Sequence, residues 1–265
     1  MAKLRLGTIG WSYNFWKGSF YPAKTASKDF LAYYASQFNT VEVDSTFYRN
    51  PTEQTVKNWH AITPKDFVFS LKFPQLITHV LMLRNCQPQT DAFIGRTGLL
   101  GEKLGPMLLQ FPPSFTADHF SDLAEYLHKL PKEHRYVVEV RNKSWLTPQF
   151  FGLLRDNSVV LAWTDSALMV ECREVTGDFL YMRWEGDRAA VVGTLGKIEA
   201  DKTTDYRQWA EKLKPYLAKT EVYGYFAKYY SGLPPHDIKS LSNLLGVGAK
   251  TSLSGEPTSS FQTQL

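Results

Sequence analysis

The sequence has little cysteine and no long apolar run. Its two cysteines, Cys86 and Cys172, lie far apart and lack the spacing of a metal site. This argues against a disulfide framework and favours a reduced intracellular protein. No stretch approaches the roughly 18 uncharged apolar residues of a membrane helix, and the start MAKLRLGTIGW lacks the apolar core of a signal peptide. We therefore expect a cytoplasmic protein without a membrane partner.

Sequence motifs of several common enzyme classes are also absent. The first apolar run is not followed by GxGxxG, and neither a GxSxG nucleophile motif nor an HExxH zinc motif occurs. Charge of one sign is not in large excess either. Thirty basic and 26 acidic residues give a formal net charge of +4, which by itself does not indicate nucleic acid or membrane binding.

Apolar residues, in contrast, are plentiful and follow an alternating order. They make up 43% of the chain and aromatic residues 14%, which is ample for a large core. Runs of strand length alternate with longer segments of helical periodicity, as expected for βα units around a parallel sheet. The predicted strands span residues 4–10, 40–47, 67–73, 106–111, 136–141, 159–165, 179–184 and 221–227.

The segments between these strands have the spacing of amphipathic helices. Phe30, Tyr34 and Phe38, for example, recur every four residues. Only SALMVECREVTGD, between the sixth and seventh strands, lacks this periodicity, and we expect an irregular crossover there. Eight strands with helical crossovers predict an α/β fold of the single (β/α)₈ TIM-barrel type over residues 1–246. Residues 247–265 are polar and aperiodic, which predicts a C-terminal tail.

Ionisable side chains cluster near the C-terminal ends of the predicted strands. Side chains alternate along a strand, so strands that turn valines toward the helices turn charged residues toward the barrel axis. The resulting inward set is Glu42, Asp44, Ser70, Lys72, Gln110, Glu139, Arg141, Asp165, Arg183 and Glu185. Barrel enzymes build their sites at this end, and buried charges are costly unless paired or functional. The set therefore predicts an active site or, alternatively, a salt-bridged plug without chemistry.

Both signs of charge in this set suggest complementary roles. Carboxylates buried together acquire separated pKa values, so that one site can hold both an acid and a base. The predicted catalytic carboxylates are Glu42, Glu139 and Asp165. Cations at the same end can hold a phosphate or carboxylate, with arginine giving paired hydrogen bonds. The residues of this end predicted to bind substrate are Lys72, His79, Gln110, Arg141 and Arg183.

The loop after the first strand, GTIGWSYNFWKGSFYP at 7–22, holds many more rings than an ordinary loop. As the first βα loop it opens onto the same end as the charges, where rings line many ligand pockets. We predict that Trp11, Ser12 and Tyr13 contact the ligand, since a flat ring suits a sugar or a base. The alternative is that the rings only close the barrel top against the first helix.

A metal site is a competing hypothesis. Of the six histidines, His79 and His236 are the ones placed to reach the C-terminal end, which is few for a zinc cluster. We therefore predict no zinc in the purified protein and no cofactor implied by the sequence. A carboxylate-bound Mg²⁺ or Mn²⁺ remains an alternative.

Several stretches, taken together, carry a resemblance to one known family. They are GWSYNFWKGSFYP at 10–22, VEVDSTFYRNP at 41–51, FSLKFP at 69–74, ITH at 77–79, LGPMLLQFPPSF at 104–115, YVVEVRNKSW at 136–145, YMRWEG at 181–186 and YGYFAKYYSG at 223–232. This combination resembles the YecE-like proteins, also called domain-of-unknown-function family 72, over most of the chain. The resemblance implies a TIM-type barrel whose motif residues gather at one pocket, and it implies no activity.

The chain departs from the usual residues of that family at Asp44, Asn142, Glu185, Ala227 and Lys228. The family usually has Asn at the first of these positions, His at the next two and an Asn pair at the last two. A looser, fold-level similarity to endonuclease IV and sugar isomerase barrels suggests nucleic acid or sugar substrates.

Together these features predict an enzyme that acts on a small anionic, phosphorylated or carboxylated substrate by acid–base chemistry. One alternative is a nucleic-acid-binding protein resembling endonuclease IV, in which cations contact phosphates and rings stack on bases. Another is a metabolite-binding module without turnover. The salt dependence of binding distinguishes the enzyme from the nucleic-acid-binding protein. Affinity for a nucleic acid falls steeply with rising salt, because each phosphate contact releases counterions. The oligomeric state is not predicted.

Overall fold

The fold, seen in a computed structural model that describes residues 4–167 and 171–247, alternates strands with helices. The strands are β1 (Leu4–Thr8), β2 (Thr40–Val43), β3 (Val68–Lys72), β4 (Leu104–Gln110), β5 (Tyr136–Glu139), β6 (Val159–Leu161), β7 (Trp163–Ser166), β8 (Phe179–Gly186) and β9 (Glu221–Phe226). The helices are α1 (Phe30–Gln37), α2 (Ser45–Tyr48), α3 (Glu53–Ile62), α4 (Gln87–Thr97), α5 (Phe120–Lys129), α6 (Pro148–Asp156), α7 (Thr203–Leu213) and α8 (Pro234–Leu244). None of the helices in these residues is long and apolar enough to cross a membrane.

These strands form two parallel sheets. One sheet has the order β1-β9-β8-β7 and the other the order β2-β3-β4-β5-β6. The sheets approach each other at two places. The amide of Gly10 donates a 2.8 Å hydrogen bond to the carbonyl of Glu42, beside an isolated parallel bridge between Ile9 and Glu42. At the other place, Ala162 alone separates β6 from β7.

Every predicted strand has a counterpart, with two corrections. The predicted sixth strand divides at Ala162, because its first half pairs with β5 and its second half with β8. The predicted second strand ends early, and Ser45–Tyr48 is a helical turn instead. The hydroxyl of Thr46 donates to the carbonyls of Val43 and Lys72 at 2.8 and 2.7 Å, which turns the chain at the end of β2.

Two other predictions concern segments that the structure describes only in part. Between β7 and β8, residues 167 and 171–178 contain no helix, while 168–170 lie outside the described residues. The predicted C-terminal tail lies outside them from residue 248 onward. The crossover therefore agrees with the prediction over its described part, and the tail stays a prediction.

Hydrophobic residues form two clusters on opposite faces of the strands. On β5, Val138 belongs to the cluster beneath the helices, together with Leu123 and Leu127 of α5. Its neighbour Val137 belongs to a second cluster on the face away from the helices, which we call the inner face. This second cluster contains Ile9, Val68, Leu108, Val137, Val160, Ala162, Phe179, Tyr181, Tyr223, Tyr225 and Ala227. Because side chains alternate along a strand, polar residues at the C-terminal ends of the strands lie on this same inner face.

Candidate functional site

At the C-terminal ends of the strands, the inner face opens into a cleft of about 440 Å³. This volume is typical of a small-molecule site. Its walls come from the ends of several strands and from the loops that follow them. The charged and histidine side chains that line it are Asp44, Lys72, His79, Arg141, Arg183, Glu185, Arg188 and Lys228.

Arg183 of β8 is the centre of the charged cluster beneath this cleft. Its side chain is 2% exposed, and all three of its nitrogens meet carboxylates. Nε and Nη2 each donate to Glu42 of β2 at 2.9 Å, and Nη1 donates to Glu139 of β5. The same Nη1 lies 2.5 Å from Glu185 Oε1. Because each of its three nitrogens is engaged by a protein carboxylate, Arg183 holds the carboxylates in place and has no nitrogen left free for a ligand anion.

Arg141, two residues beyond β5, extends the cluster toward solvent. Its Nε donates to Glu139 Oε1 at 2.9 Å and its Nη2 to Glu185 Oε1 at 3.2 Å. Its side chain is 17% exposed, whereas that of Glu139 is 1% exposed. Arg141 is therefore the arginine of the cluster that can both keep a carboxylate partner and turn toward a ligand.

The two buried carboxylates of the cluster have different protonation behaviour. Burial alone would raise the pKa of Glu139, but the charges of Arg183 and Arg141 and their hydrogen bonds lower it to about 2. Burial raises the pKa of Glu42, although Arg183 and the Tyr181 hydroxyl, which donates at 2.7 Å, oppose that rise. Glu139 is therefore an anion over the whole physiological range.

Lys72, at the end of β3, lines another side of the cleft. Its ammonium lies 3.2 Å from Asp44 Oδ1 and 3.9 Å from the centroid of the Phe47 ring. The Lys72 side chain is 9% exposed, and it lines the cleft. Lys72 thus presents positive charge to the cleft from β3, which is separated in the sheet by β4 from β5, the strand that Arg141 follows.

His79 and Gln110, both predicted to bind substrate, also line the cleft. The His79 ring packs edge-on to Phe47, with centroids 4.8 Å apart, and its Nδ1 lies 2.8 Å from the Thr78 hydroxyl. Burial and the positive charges of Lys72 and Arg141 lower the pKa of His79 to about 4. The imidazole is neutral at physiological pH as a result, and can accept a proton there.

On the remaining side, two cations lie over aromatic rings. Lys228, two residues beyond β9, is 5.0 Å from the Tyr229 ring centroid and 5.7 Å from that of Tyr13. It has no ion-pair partner within residues 4–167 and 171–247. Arg188 lies 4.7 Å from the same Tyr229 ring and 3.7 Å from Glu185, and is 67% exposed. These two side chains bring positive charge to the rim of the cleft with little carboxylate to balance it.

Of the three residues of the first βα loop predicted to contact the ligand, one lines the cleft. Tyr13 lines the cleft, and its hydroxyl donates to the carbonyl of Ile9 at 2.9 Å. Gly10 makes this position accessible: its φ is +75°, and a Cβ there would lie 2.7 Å from the Tyr13 hydroxyl oxygen. Trp11 packs edge-on against Trp59 of α3, and Ser12 is exposed; neither lines the cleft.

The inward position predicted for Asp165 is wrong. Its register neighbour Thr164 pairs with Arg183, which places Thr164 on the inner face and Asp165 on the face toward the helices. There Asp165 Oδ2 accepts a 2.8 Å hydrogen bond from the indole of Trp209 on α7. Because both faces of these strands are apolar, the residue pattern alone did not distinguish one face from the other. Asp165 lines a separate cavity of about 190 Å³.

Histidines and carboxylates do not gather into a metal site within the described residues. No group of three His, Cys, Asp or Glu side chains there is arranged to hold an ion. His236, the second histidine predicted to reach this end, lies on α8 with its Nε2 3.1 Å from the Ser240 hydroxyl, and does not line the cleft. The content of zinc, Mg²⁺ or Mn²⁺ stays a prediction.

Several residues that line the cleft were not on the list of predicted contacts. They are Ile9, Asp44, Phe47, Tyr48, Gln75, Glu185, Arg188, Ala227, Lys228 and Tyr229, of which Asp44 and Glu185 were predicted only to face inward. Lys228 and Tyr229 directly follow a predicted strand, so position alone could have found them. The predicted second strand ends at Phe47, directly before Tyr48, and this prediction concealed the helical turn that brings both residues to the cleft.

Comparisons with known proteins place the chain in a family. The family described as "Protein of unknown function DUF72" matches residues 5–261. The UPF0759 protein YecE of Escherichia coli K12 is 38% identical over 122 residues, which are 46% of this chain and 43% of that protein. The UPF0759 protein YunF of Bacillus subtilis 168 is 32% identical over 155 residues, 55% of this chain and 53% of that protein. The chain therefore aligns with about half the length of these relatives.

Solved structures resemble this fold over nearly their whole length. A DUF72 family protein of Thermotoga maritima has a TM-score of 0.76 and 26% identity, covering 92% of this chain and 99% of its own. A DUF72 family protein of Enterococcus faecalis V583 has a TM-score of 0.74 and 21% identity, covering 93% of this chain and 99% of its own. A D-psicose 3-epimerase of Clostridium cellulolyticum H10, solved with D-tagatose, has a TM-score of 0.56 and 10% identity, covering 91% and 99%. The last two show similarity of fold alone.

Proposed function

This chain belongs to the DUF72 family, and we propose that it is an enzyme acting on a small anionic substrate by acid–base chemistry in the cleft. The observation that carries the proposal is the charge around one cleft of about 440 Å³. Lys72, Arg141, Arg188 and Lys228 border it, while Asp44 and Glu185 are the acidic side chains of its lining. A phosphate or carboxylate group would complement the excess of cations.

The proposal includes closure of the two sheets into one (β/α)₈ barrel. The hydrogen bond from Gly10 to Glu42 supports closure between β1 and β2. The single residue between β6 and β7 supports treating them as one bent strand, which gives eight strand positions. Closure would explain why residues from β2, β5 and β8 meet at Arg183.

We assign proton transfer to His79 and Glu185. His79 is half-buried in the cleft wall and neutral at physiological pH, so it can act as a base. Glu185 lies at the cleft with its Oε2 directed toward the exposed Arg188, 3.7 Å away. Glu42 and Glu139 were predicted to be catalytic, but arginines engage both oxygens of each carboxylate. We therefore assign them a positioning role instead. Together with Arg183, which links them, they would hold Arg141 in position for the substrate.

Phosphate binding is the first test. Inorganic phosphate should bind to the purified protein, and Lys228→Ala should weaken binding about tenfold, as expected for one charge-assisted contact. Lys65→Ala is the matched control, since this exposed lysine lies before β3, at the opposite end of the strands. Isothermal titration calorimetry measures both variants. Equal affinity for phosphate in the wild type and Lys228→Ala would remove the basis of the proposal.

Turnover is the second test. Sugar phosphates are the class to screen first, because the fold resembles that of the D-psicose 3-epimerase and the cleft is cationic. Once one is converted, His79→Gln should lower kcat at least about 100-fold and leave substrate binding nearly unchanged. Nucleic acid remains the alternative ligand, and a steep loss of affinity for DNA or RNA between low and high salt would favour it.

A further inference from the structure

A second concavity, an apolar groove of about 460 Å³, lies beside the charged cleft. Its apolar lining comes from the α2 turn, the loop after β3 and the start of α4. The residues are Phe47, Tyr48, Pro74, Leu76, Pro88 and Ala92. Arg49 is the one charged side chain that lines it among the described residues. The groove therefore differs in chemistry from the cleft, where ionisable groups are a large share of the lining.

The groove and the cleft adjoin and share part of their walls. Phe47, Tyr48 and Gln75 line both. The Phe47 ring stands at the boundary, since it contacts the Lys72 ammonium and the His79 ring on the cleft side and packs edge-on to Tyr48 at 5.1 Å. A molecule with its charged group against Lys72 can thus pass along Phe47 into the groove.

Large apolar side chains are exposed along this path. Tyr48 is 69% exposed and Leu76 is 42% exposed. Exposed apolar surface beside a polar pocket commonly marks where a ligand or partner is bound. Here the wall shared with the cationic cleft points to one occupant, the apolar part of the molecule whose anionic group is bound in the cleft.

We propose that the substrate is amphiphilic, with a phosphate or carboxylate held in the cleft and an apolar group covered by the groove. This inference rests on the proposed anion site and specifies what is attached to the anion. The groove then selects among anions, because each CH₂ group moved from water into it should tighten binding up to about fourfold. Small anions without an apolar group would bind only through the cations.

The test compares methyl phosphate with hexyl phosphate. Hexyl phosphate should bind about tenfold or more tightly than methyl phosphate, since even partial burial of five added CH₂ groups suffices. Ala92→Trp fills the groove from an exposed helix position and should abolish that difference without changing the affinity for methyl phosphate. Ala61→Trp, at an exposed position on α3 outside the groove, is the matched control and should keep the difference.

The outcomes separate this inference from the proposed anion site. If methyl phosphate binds and depends on Lys228, but hexyl phosphate binds no more tightly, the anion site stands and the amphiphilic substrate is overturned. Binding of neither phosphate overturns both. If Ala92→Trp instead alters the molecular mass in solution without affecting either phosphate, the groove contacts a second copy of the chain and the inference is wrong.

Discussion

The charged cluster around Arg183 and the aromatic cluster of the first βα loop lie at the same end of the strands, yet they serve different purposes. In the charged cluster, residues from β2, β5 and β8 converge on the inner face. In the aromatic cluster, Trp16 and Tyr21 turn the other way and are 0% and 1% exposed against α1. The Tyr21 ring stacks on Phe30 of α1 at 4.1 Å.

This difference shows that the chemistry of a side chain decides whether it turns toward the helices or toward the inner face. Rings lose most contact with water by packing on a helix, and the first loop has α1 beside it. Charged groups cannot enter that apolar layer without partners, so they meet where strands of several segments bring opposite charges together. The rings of the loop are thus largely core, and Tyr13 is the ring of the predicted trio that faces the cleft.

The largest effect should come from breaking the charged cluster. Arg183→Met leaves the buried carboxylates of Glu42 and Glu139 without their central partner, and we expect a loss of more than about 5 kcal/mol in the free energy of unfolding. Urea denaturation measures it. Arg188→Met, which removes an exposed arginine 3.7 Å from Glu185, should cost less than about 1 kcal/mol. A small loss for Arg183→Met would mean that the carboxylates are protonated in the fold.

A slightly smaller effect should come from the aromatic cluster. Trp16→Ala opens a cavity among the rings of Phe20, Tyr21 and Tyr13 and should cost about 3–5 kcal/mol, with no change in phosphate affinity. Trp11→Ala should cost roughly half as much, because its ring is only half-buried, and should also leave phosphate binding unchanged. Loss of phosphate binding in Trp11→Ala would show that Trp11 does form part of the site.

Acid should destabilise the charged cluster specifically. The pKa of Glu139 falls from an ordinary 4.5 to about 2 in the folded protein. Its ionised form therefore stabilises the fold above pH 4.5, and this stabilisation is lost as the pH falls toward 2. We expect Glu139→Gln to lose about 3 kcal/mol at neutral pH and to depend less on pH in that window. Urea titrations at several pH values test it, and parallel curves for variant and wild type would contradict it.

A buried carboxyl without arginines should behave in the opposite way. Asp237 of α8 is 0% exposed, and its Oδ1 accepts from the Tyr206 hydroxyl at 2.5 Å. Burial raises its pKa from 3.8 to about 7. The folded state therefore holds a proton that the unfolded state releases, and stability falls as the pH rises through that window.

Asp237→Asn keeps the acceptor for Tyr206 and removes this titration. Relative to the wild type, the variant should gain about 4 kcal/mol, or roughly 8–16 °C in Tm, between pH 4 and pH 8. Thermal unfolding at these two pH values measures the difference. An unchanged difference in Tm would mean that Asp237 is ionised throughout, and the contrast with Glu139 would then fail.

Local patterns account for much of the fold and for part of the site. Alternation placed Glu42, Lys72, Gln110, Glu139 and Arg183 on one face, and the structure brings them to the C-terminal ends of the strands. The same reasoning failed for Asp165, because a strand that is apolar on both faces does not reveal which face is covered by helices. It also missed Phe47 and Tyr48, where hydrogen bonds from Thr46 replace the end of a strand with a helical turn.

By itself, the sequence determined the succession of strands and helices, the alternation of side chains along them and the family to which the chain belongs, since these depend on neighbouring residues and recognisable motifs. Only the tertiary structure decided which cationic side chains remain available to bind a ligand. Arg183 and Arg141 occupy equivalent positions in the pattern, yet the first is surrounded by three carboxylates and the second reaches the cleft. Pairing between residues far apart in the chain depends on distances that no local pattern contains.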